Sequence, residues 1–389
     1  MSLCLNYATI YTPDEKLTNS AVVISDEGQI DYVGPMDSAP RLAGTSLDLR
    51  GKTIIPGLID VHVHGGFGIG FGNLDSLESD LATYAQRVVE NGVTGFLTSI
   101  ATPDAPSLIE VIKAYSKLFK KDFVGAVPLG IHLEGPFLSR EKKGAFHPEW
   151  LRDPDPDQAR AFLEAGRGWI RQMTLAPELP RAAEVAAMFR QQGAVIAAGH
   201  TNADYDTARQ ALQSDFTHVT HTFNAQRGFH HREPGVFGAI LTSDQVTAEL
   251  IADTIHVHPG AMKTLYRCLG SDRIVLITDA ILGAGLPDGV YESVEFMVTI
   301  KDGVVTLEDG TLAGSSARLN HCVRNMHQTV GVPLHQAVKM ASLNPARAMG
   351  FTDRLGSIAR GKDANLAVID QEVNVYLTLV KGQIVYNRL

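Results

Sequence analysis

The sequence predicts an α/β fold: a (β/α)8 TIM barrel with a small β-sandwich domain formed by the N- and C-terminal segments. Eight apolar strand candidates alternate with helical stretches through the middle of the chain, the pattern of a parallel α/β fold. They occupy roughly 250 to 300 residues, the size of one such barrel. Both ends carry shorter, alternating strands, too few at either end to form a stable unit alone.

Residues 1–53 are expected to give the first part of the β domain. Ala21–Ile24 and Gln29–Val33 flank Asp26-Glu27-Gly28, a strand, tight turn and strand. Residues 54–355 form the barrel, and 356–389 the second part of the β domain, with strands near Ala364–Ile369, Val373–Val380 and Gln383–Tyr386. The eight barrel strands are Gly57–His64, Gly95–Ile100, Val127–Glu134, Arg171–Pro177, Ala194–His200, His218–Phe223, Ala248–His256 and Ile274–Asp279. Helices are expected between most of them, over Asp80–Asn91, Ser107–Phe119, Ala182–Gln192, Tyr205–Gln213 and Pro259–Cys268.

Composition narrows the function classes. Hydrophobic content of 44% with 20% charged residues is that of an ordinary globular protein. A net charge of −9 argues against nucleic acid or an anionic membrane as a general partner. Three scattered cysteines, Cys4, Cys268 and Cys322, give neither a disulfide framework nor zinc-finger spacing and fit a reducing cytoplasm. The first residues lack a basic region ahead of an apolar core, so no signal peptide is expected. No apolar run approaches membrane-spanning length.

The strand ends carry the chemistry. Strand one ends in His62 and His64, which alternate and so share a face. Strand three ends in Glu134, strand five in His200, strand six in His221 and strand eight in Asp279. A lone His-x-His is more often two hydrogen-bonded histidines, and Glu134 or Asp279 alone could serve a turn or a cap. In a TIM barrel, however, all these ends face one mouth, where active sites are built. Six such side chains at five of eight strand ends indicate a divalent metal centre. Nitrogen and carboxylate donors without thiolate suit Zn2+ or Fe2+, with Mn2+ and Co2+ as further candidates.

Longer motifs extend this reading. The stretches PGLIDVHVHGG (56–66), HLEGPF (132–137), LAPE (175–178), AGHTNA (198–203), THTFNA (220–225), REPG (232–235), IADTIHVHP (251–259) and ITDA (277–280) run through the chain, followed by LAGS, NPAR and GKDANL. In that order they resemble the amidohydrolase superfamily, and within it the N-acetylglucosamine-6-phosphate deacetylase family. The resemblance implies that Glu134, His200 and His221 hold the main metal. It implies that Asp279 acts as general base and then general acid. Some members keep the strand-one histidines and bind a second metal, so His62 and His64, with Glu134 and Asp279, would hold one here. Asn224, Ala225, Arg232 and His256 match positions that bind the sugar phosphate, Arg232 in several members across a dimer interface.

The implied reaction is hydrolysis of the N-acetyl group of N-acetylglucosamine 6-phosphate, giving glucosamine 6-phosphate and acetate. A bound metal lowers the pKa of water toward about 7 and stabilises the oxyanion. The galacto epimer, or another N-acyl amide, is the alternative substrate. One segment departs from the family: where a histidine assists the substrate, this chain reads Gly144-Ala145-Phe146-His147, so either His147 serves or the role is lost. Cyclic-amide hydrolases of the superfamily bridge two metals with a strand-four lysine, which Arg171–Pro177 lacks. The deaminase motifs differ from HLEGPF and THTFNA. A scaffold without catalysis should show eroded ligands, and none is eroded here.

Overall fold

The computed structural model describes residues 3–12, 15–40, 44–101, 104–292 and 297–389. Eight parallel strands, Leu58–Val63, Val93–Ile100, Val127–Glu134, Ile170–Leu175, Val195–Ala198, Phe216–Val219, Thr247–Ile251 and Ile274–Ile277, pair in chain order. One helix follows each: Leu77–Val88, Ala105–Leu118, Pro156–Gly166, Ala182–Gln191, Tyr205–Leu212, Gly235–Leu241, Pro259–Leu269 and Leu319–Gln328. This is the (β/α)8 barrel the alternation predicts. Strands one and eight are tied at the mouth, where the Asp279 N–H donates to the His62 carbonyl at 2.9 Å and the His64 N–H to the Ala280 carbonyl at 2.8 Å. The buried Asp60 carboxylate adds to this seam, accepting from the Thr278 hydroxyl at 2.6 Å.

Local chemistry starts the helices where the sequence places them. Asp104, Asp155 and Asp204 each accept from a backbone N–H in the first turn of the helix that follows, satisfying a donor that has no partner within the helix. Proline occupies the first turn in two of these, where its missing N–H costs nothing.

Both termini meet in a separate sheet. Leu366–Ile369 runs antiparallel to Thr53–Pro56, which pairs in turn with Leu3–Tyr11. Leu5, Ile10, Val22, Ile24, Ile54, Leu366 and Leu377 form its own apolar core. Ile54–Pro56, which the sequence reading gives to the barrel, therefore pairs in the terminal sheet, and the barrel strand begins only after Gly57. A three-stranded antiparallel sheet, Gly289–Glu292, Met297–Lys301 and Val304–Thr306, was not expected. It follows strand eight, and its buried Val298, Ile300 and Val305 pack with Leu282 and Ala313 at the barrel mouth.

Gly57 sits where strand one starts beside strand two. A Cβ there would lie 2.2 Å from Thr94 Oγ1 and 2.4 Å from Thr94 Cγ2. Gly57→Ala should therefore push the two strands apart at a cost of about 1–3 kcal/mol. Thermal unfolding checks this, and an unchanged midpoint would contradict it.

Candidate functional site

Glu134, the last residue of strand three, is buried at the mouth with four histidines around its carboxylate. Oε1 lies 3.2 Å from His200 Nε2, 3.0 Å from His221 Nε2 and 3.4 Å from His62 Nε2. Oε2 lies 2.9 Å from His64 Nε2. His200 and His221 face each other at 3.1 Å between Nε2 atoms, His62 and His64 at 3.3 Å. Asp279 Oδ1 completes the group, 3.3 Å from His62 Nε2 and 3.5 Å from His64 Nε2. The candidate ligands thus form two sets, Glu134/His200/His221 and His62/His64/Glu134/Asp279, sharing one carboxylate.

Only Glu134 and His62 lie within their strands. His200, His221 and Asp279 each lie two residues beyond a strand end, in left-handed backbone with φ of 46°, 25° and 50°. Such a conformation costs a residue with a Cβ about 1–3 kcal/mol and persists only where its surroundings hold it. Here the Ser139 N–H donates to the His200 carbonyl, the Asn224 N–H to that of His221, and the Ser315 N–H to that of Asp279. Glu178 secures the turn after His200 by accepting from the Thr201 hydroxyl and the Asn202 N–H. The strand sets the height of each ligand, and the turn aims it.

Ring orientation is fixed from behind. His200 Nδ1 lies 2.8 Å from the Lys142 carbonyl and His62 Nδ1 2.9 Å from Glu249 Oε2. Both bonds place the ring proton on Nδ1 and leave the Nε2 lone pair facing the centre beside Glu134. Burial works to raise the Glu134 pKa, but His62 and the close imidazoles of His200 and His221 outweigh it and hold the carboxyl well below its usual range. Burial likewise opposes charge on His62, yet Glu134, Asp279 and Glu249 together raise its pKa well above the ordinary value. Three carboxylates around one imidazole demand positive charge, from a proton or a metal. A tetrahedral site with metal–nitrogen bonds of about 2.0–2.1 Å has donor–donor edges of about 3.3–3.4 Å, close to the separations within both sets. These residues fit a divalent metal.

A cavity of about 540 Å3 opens above the ligands, lined by His64, Glu134, His200, His221 and Asp279 together with Asn224, Ala225 and His256. His256 Nδ1 is held at 2.7 Å by Asp253; burial opposes its protonation, but Asp253 prevails and raises its pKa. The sequence expectations divide at the loop after strand three. Phe146 lines the cavity and meets the His200 ring edge-on at 5.1 Å. His147 does not line it; its ring packs 4.8 Å from that of Trp150, with a side chain 48% exposed. Arg232 is also outside the cavity, exposed, with its guanidinium 3.0 Å from His231 Nε2. Among the described residues, no lysine or arginine lines the cavity.

Sequence reasoning missed the buried polar residues behind the ligands. Glu249 on strand seven, His218 on strand six, His132 on strand three and Gln172 on strand four are all fully buried. The available signal was a carboxylate inside the apolar run Thr247–Ile251, since an unpaired charge there would not be tolerated.

The sequence profile of the amidohydrolase family matches residues 53–385. The chain is 35% identical to the N-acetylglucosamine-6-phosphate deacetylase of Bacillus subtilis, over 99% of this chain and 97% of that one. It is 36% identical to the N-acetylgalactosamine-6-phosphate deacetylase of Escherichia coli O157:H7, over 86% and 88% of the two chains. The N-acetyl-D-glucosamine-6-phosphate deacetylase of Mycobacterium smegmatis, solved in complex with N-acetyl-D-glucosamine-6-phosphate, superposes with a TM-score of 0.92 at 32% identity, covering 100% of this chain and 99% of that one.

Because both ligand sets include Glu134, Glu134→Gln should remove both from use, whereas His64→Asn should affect one. Metal analysis after saturation and desalting is expected to give the fewest equivalents for Glu134→Gln and an intermediate value for His64→Asn. A wild-type protein that saturates at a single equivalent would count against two ions.

Proposed function

The chain belongs to the amidohydrolase family, among the N-acetylglucosamine-6-phosphate deacetylases, and on that premise we propose that it releases acetate from N-acetylglucosamine 6-phosphate at the Glu134 centre. The observation that carries this reading is the pair of ligand sets sharing Glu134 at the floor of the cavity, with Asp279 beside them. Zinc or iron(II) suits the nitrogen and carboxylate donors. When bound, such a metal supplies a nucleophile from water at neutral pH and counter-charge for the developing oxyanion.

The chain's own groups divide the remaining work. Asp279, with Oδ1 toward His62 and His64 and its side chain 13% exposed at the cavity wall, takes the proton of the attacking water. It then delivers that proton to the leaving nitrogen, which departs only as the amine. His62, His64, Glu134, His200 and His221 hold their lone pairs toward one centre. Asn224, Ala225 and His256 bind the sugar phosphate along the wall beyond His221. A phosphate dianion calls for cationic partners, and the described lining offers neither arginine nor lysine. Arg232, on an exposed loop beside the half-exposed Phe229, supplies that charge to a neighbouring copy in a homodimer. The assignment to the cytoplasm rests on three free cysteines and on a charged substrate. Among the described residues, no helix is long and apolar enough to cross a membrane.

A second reading keeps the chemistry and changes the sugar. Phe146 gives the cavity an apolar wall next to His200, where the deacetylase resemblance leads one to expect a histidine. That wall is the specific reason to test the galacto epimer.

Acetate release by metal-supplemented protein tests the proposal, with N-acetylglucosamine 6-phosphate, its galacto epimer and the unphosphorylated sugar side by side. Rapid release from the phosphorylated gluco substrate is expected; release from the galacto epimer alone selects the second reading, and release from none refutes both. Asp279→Asn should lower turnover by about 10²–10⁴-fold while most of the metal stays bound, and near-normal turnover would rule out its role. Arg232→Ala should raise KM for the phosphorylated substrate far more than it lowers kcat. An unchanged KM would exclude Arg232 from phosphate binding.

A further inference from the structure

Glu249 sits behind the candidate ligands, fully buried on strand seven, and every acceptor position of its carboxylate is occupied. Oε1 accepts from the Gln172 amide at 2.7 Å and lies 3.1 Å from His218 Nε2. Oε2 lies 2.9 Å from His62 Nδ1 and accepts the backbone N–H of His221 at 3.1 Å. TIM-barrel interiors are ordinarily filled by branched apolar side chains, so folding alone does not call for a charge at this position. The two bonds on Oε2 lead to different ligand sets: His62 belongs with His64 and Asp279, His221 with His200, and both meet at Glu134. One oxygen atom inside the barrel therefore touches both sets.

We propose that Glu249 is a positioning residue that fixes His62 as the Nδ1–H tautomer, with Nε2 free for metal, and sets the spacing of the two ligand sets by holding the His221 main chain from the same oxygen. Its negative charge also strengthens His62 as a donor, as carboxylates behind metal-bound histidines do. This inference rests on His62 and His221 being metal ligands and is independent of which sugar is hydrolysed. It is therefore tested without substrate.

Glu249→Gln preserves shape and an acceptor toward His62 while removing the charge. In competition against a chromophoric chelator, the full-length variant should bind zinc about 10- to 100-fold more weakly than wild type, measured at a temperature where the metal-free variant is still folded. A purely structural role would leave the zinc affinity of the folded variant alone, and unchanged affinity overturns the proposal. A second measurement uses the wild-type protein: histidine-selective nitrogen NMR of the cadmium-loaded form, with His62 identified by its absence in His62→Asn. Cadmium coupling at Nε2 and a proton on Nδ1 are expected. Coupling at Nδ1, or no proton there, overturns the proposal even if Glu249→Gln does not fold.

Discussion

The Glu134 carboxylate is the constraint on which the rest of the structure depends. A buried carboxylate is tolerable only with donors or positive charge around it, and here four imidazoles converge on its two oxygens. That convergence requires side chains from four strands to arrive at one height. A closed parallel barrel provides this, because all its strands end at the same face. The seam between strands one and eight matters for the same reason: the His62 and Asp279 main chains bond directly to each other. A shift between those strands would separate His62 from Asp279.

Electrostatics and backbone strain act together in this arrangement. The left-handed turns at His200, His221 and Asp279 each oppose folding. They are held by main-chain bonds from Ser139, Asn224 and Ser315, so the cost falls on the scaffold, and the side chains need no movement to meet. Glu249 extends the same logic inward: burial works to raise its pKa, but His62 and His218 hold it well below the usual carboxylate range. The mouth and the layer beneath it form one hydrogen-bonded network.

Much of this was legible in the sequence because strand and ligand signals are local. Largely apolar runs of six to nine residues located all eight barrel strands, and the candidate ligand types stood at or near their ends. The exact exits were not legible: His200, His221 and Asp279 were read as strand ends, but the strands stop two residues earlier, since a left-handed turn at a residue other than glycine leaves no compositional mark. Glu249, His132 and His218 escaped notice because each lies inside a barrel strand, where its meaning depends on partners up to 187 positions away. That Phe146 lines the cavity and His147 does not is a matter of loop conformation, which spacing does not encode. The strand Thr53–Pro56 was split because its pairing partner, Leu366–Ile369, lies at the other end of the chain.

The most direct test of the shared carboxylate is anomalous diffraction from crystals grown with zinc. Two peaks flanking Glu134 are predicted, about 3.5–4 Å apart, one against His200 and His221 and the other against His62, His64 and Asp279. A single peak held by Glu134, His200 and His221, or peaks away from Glu134 altogether, would contradict the account.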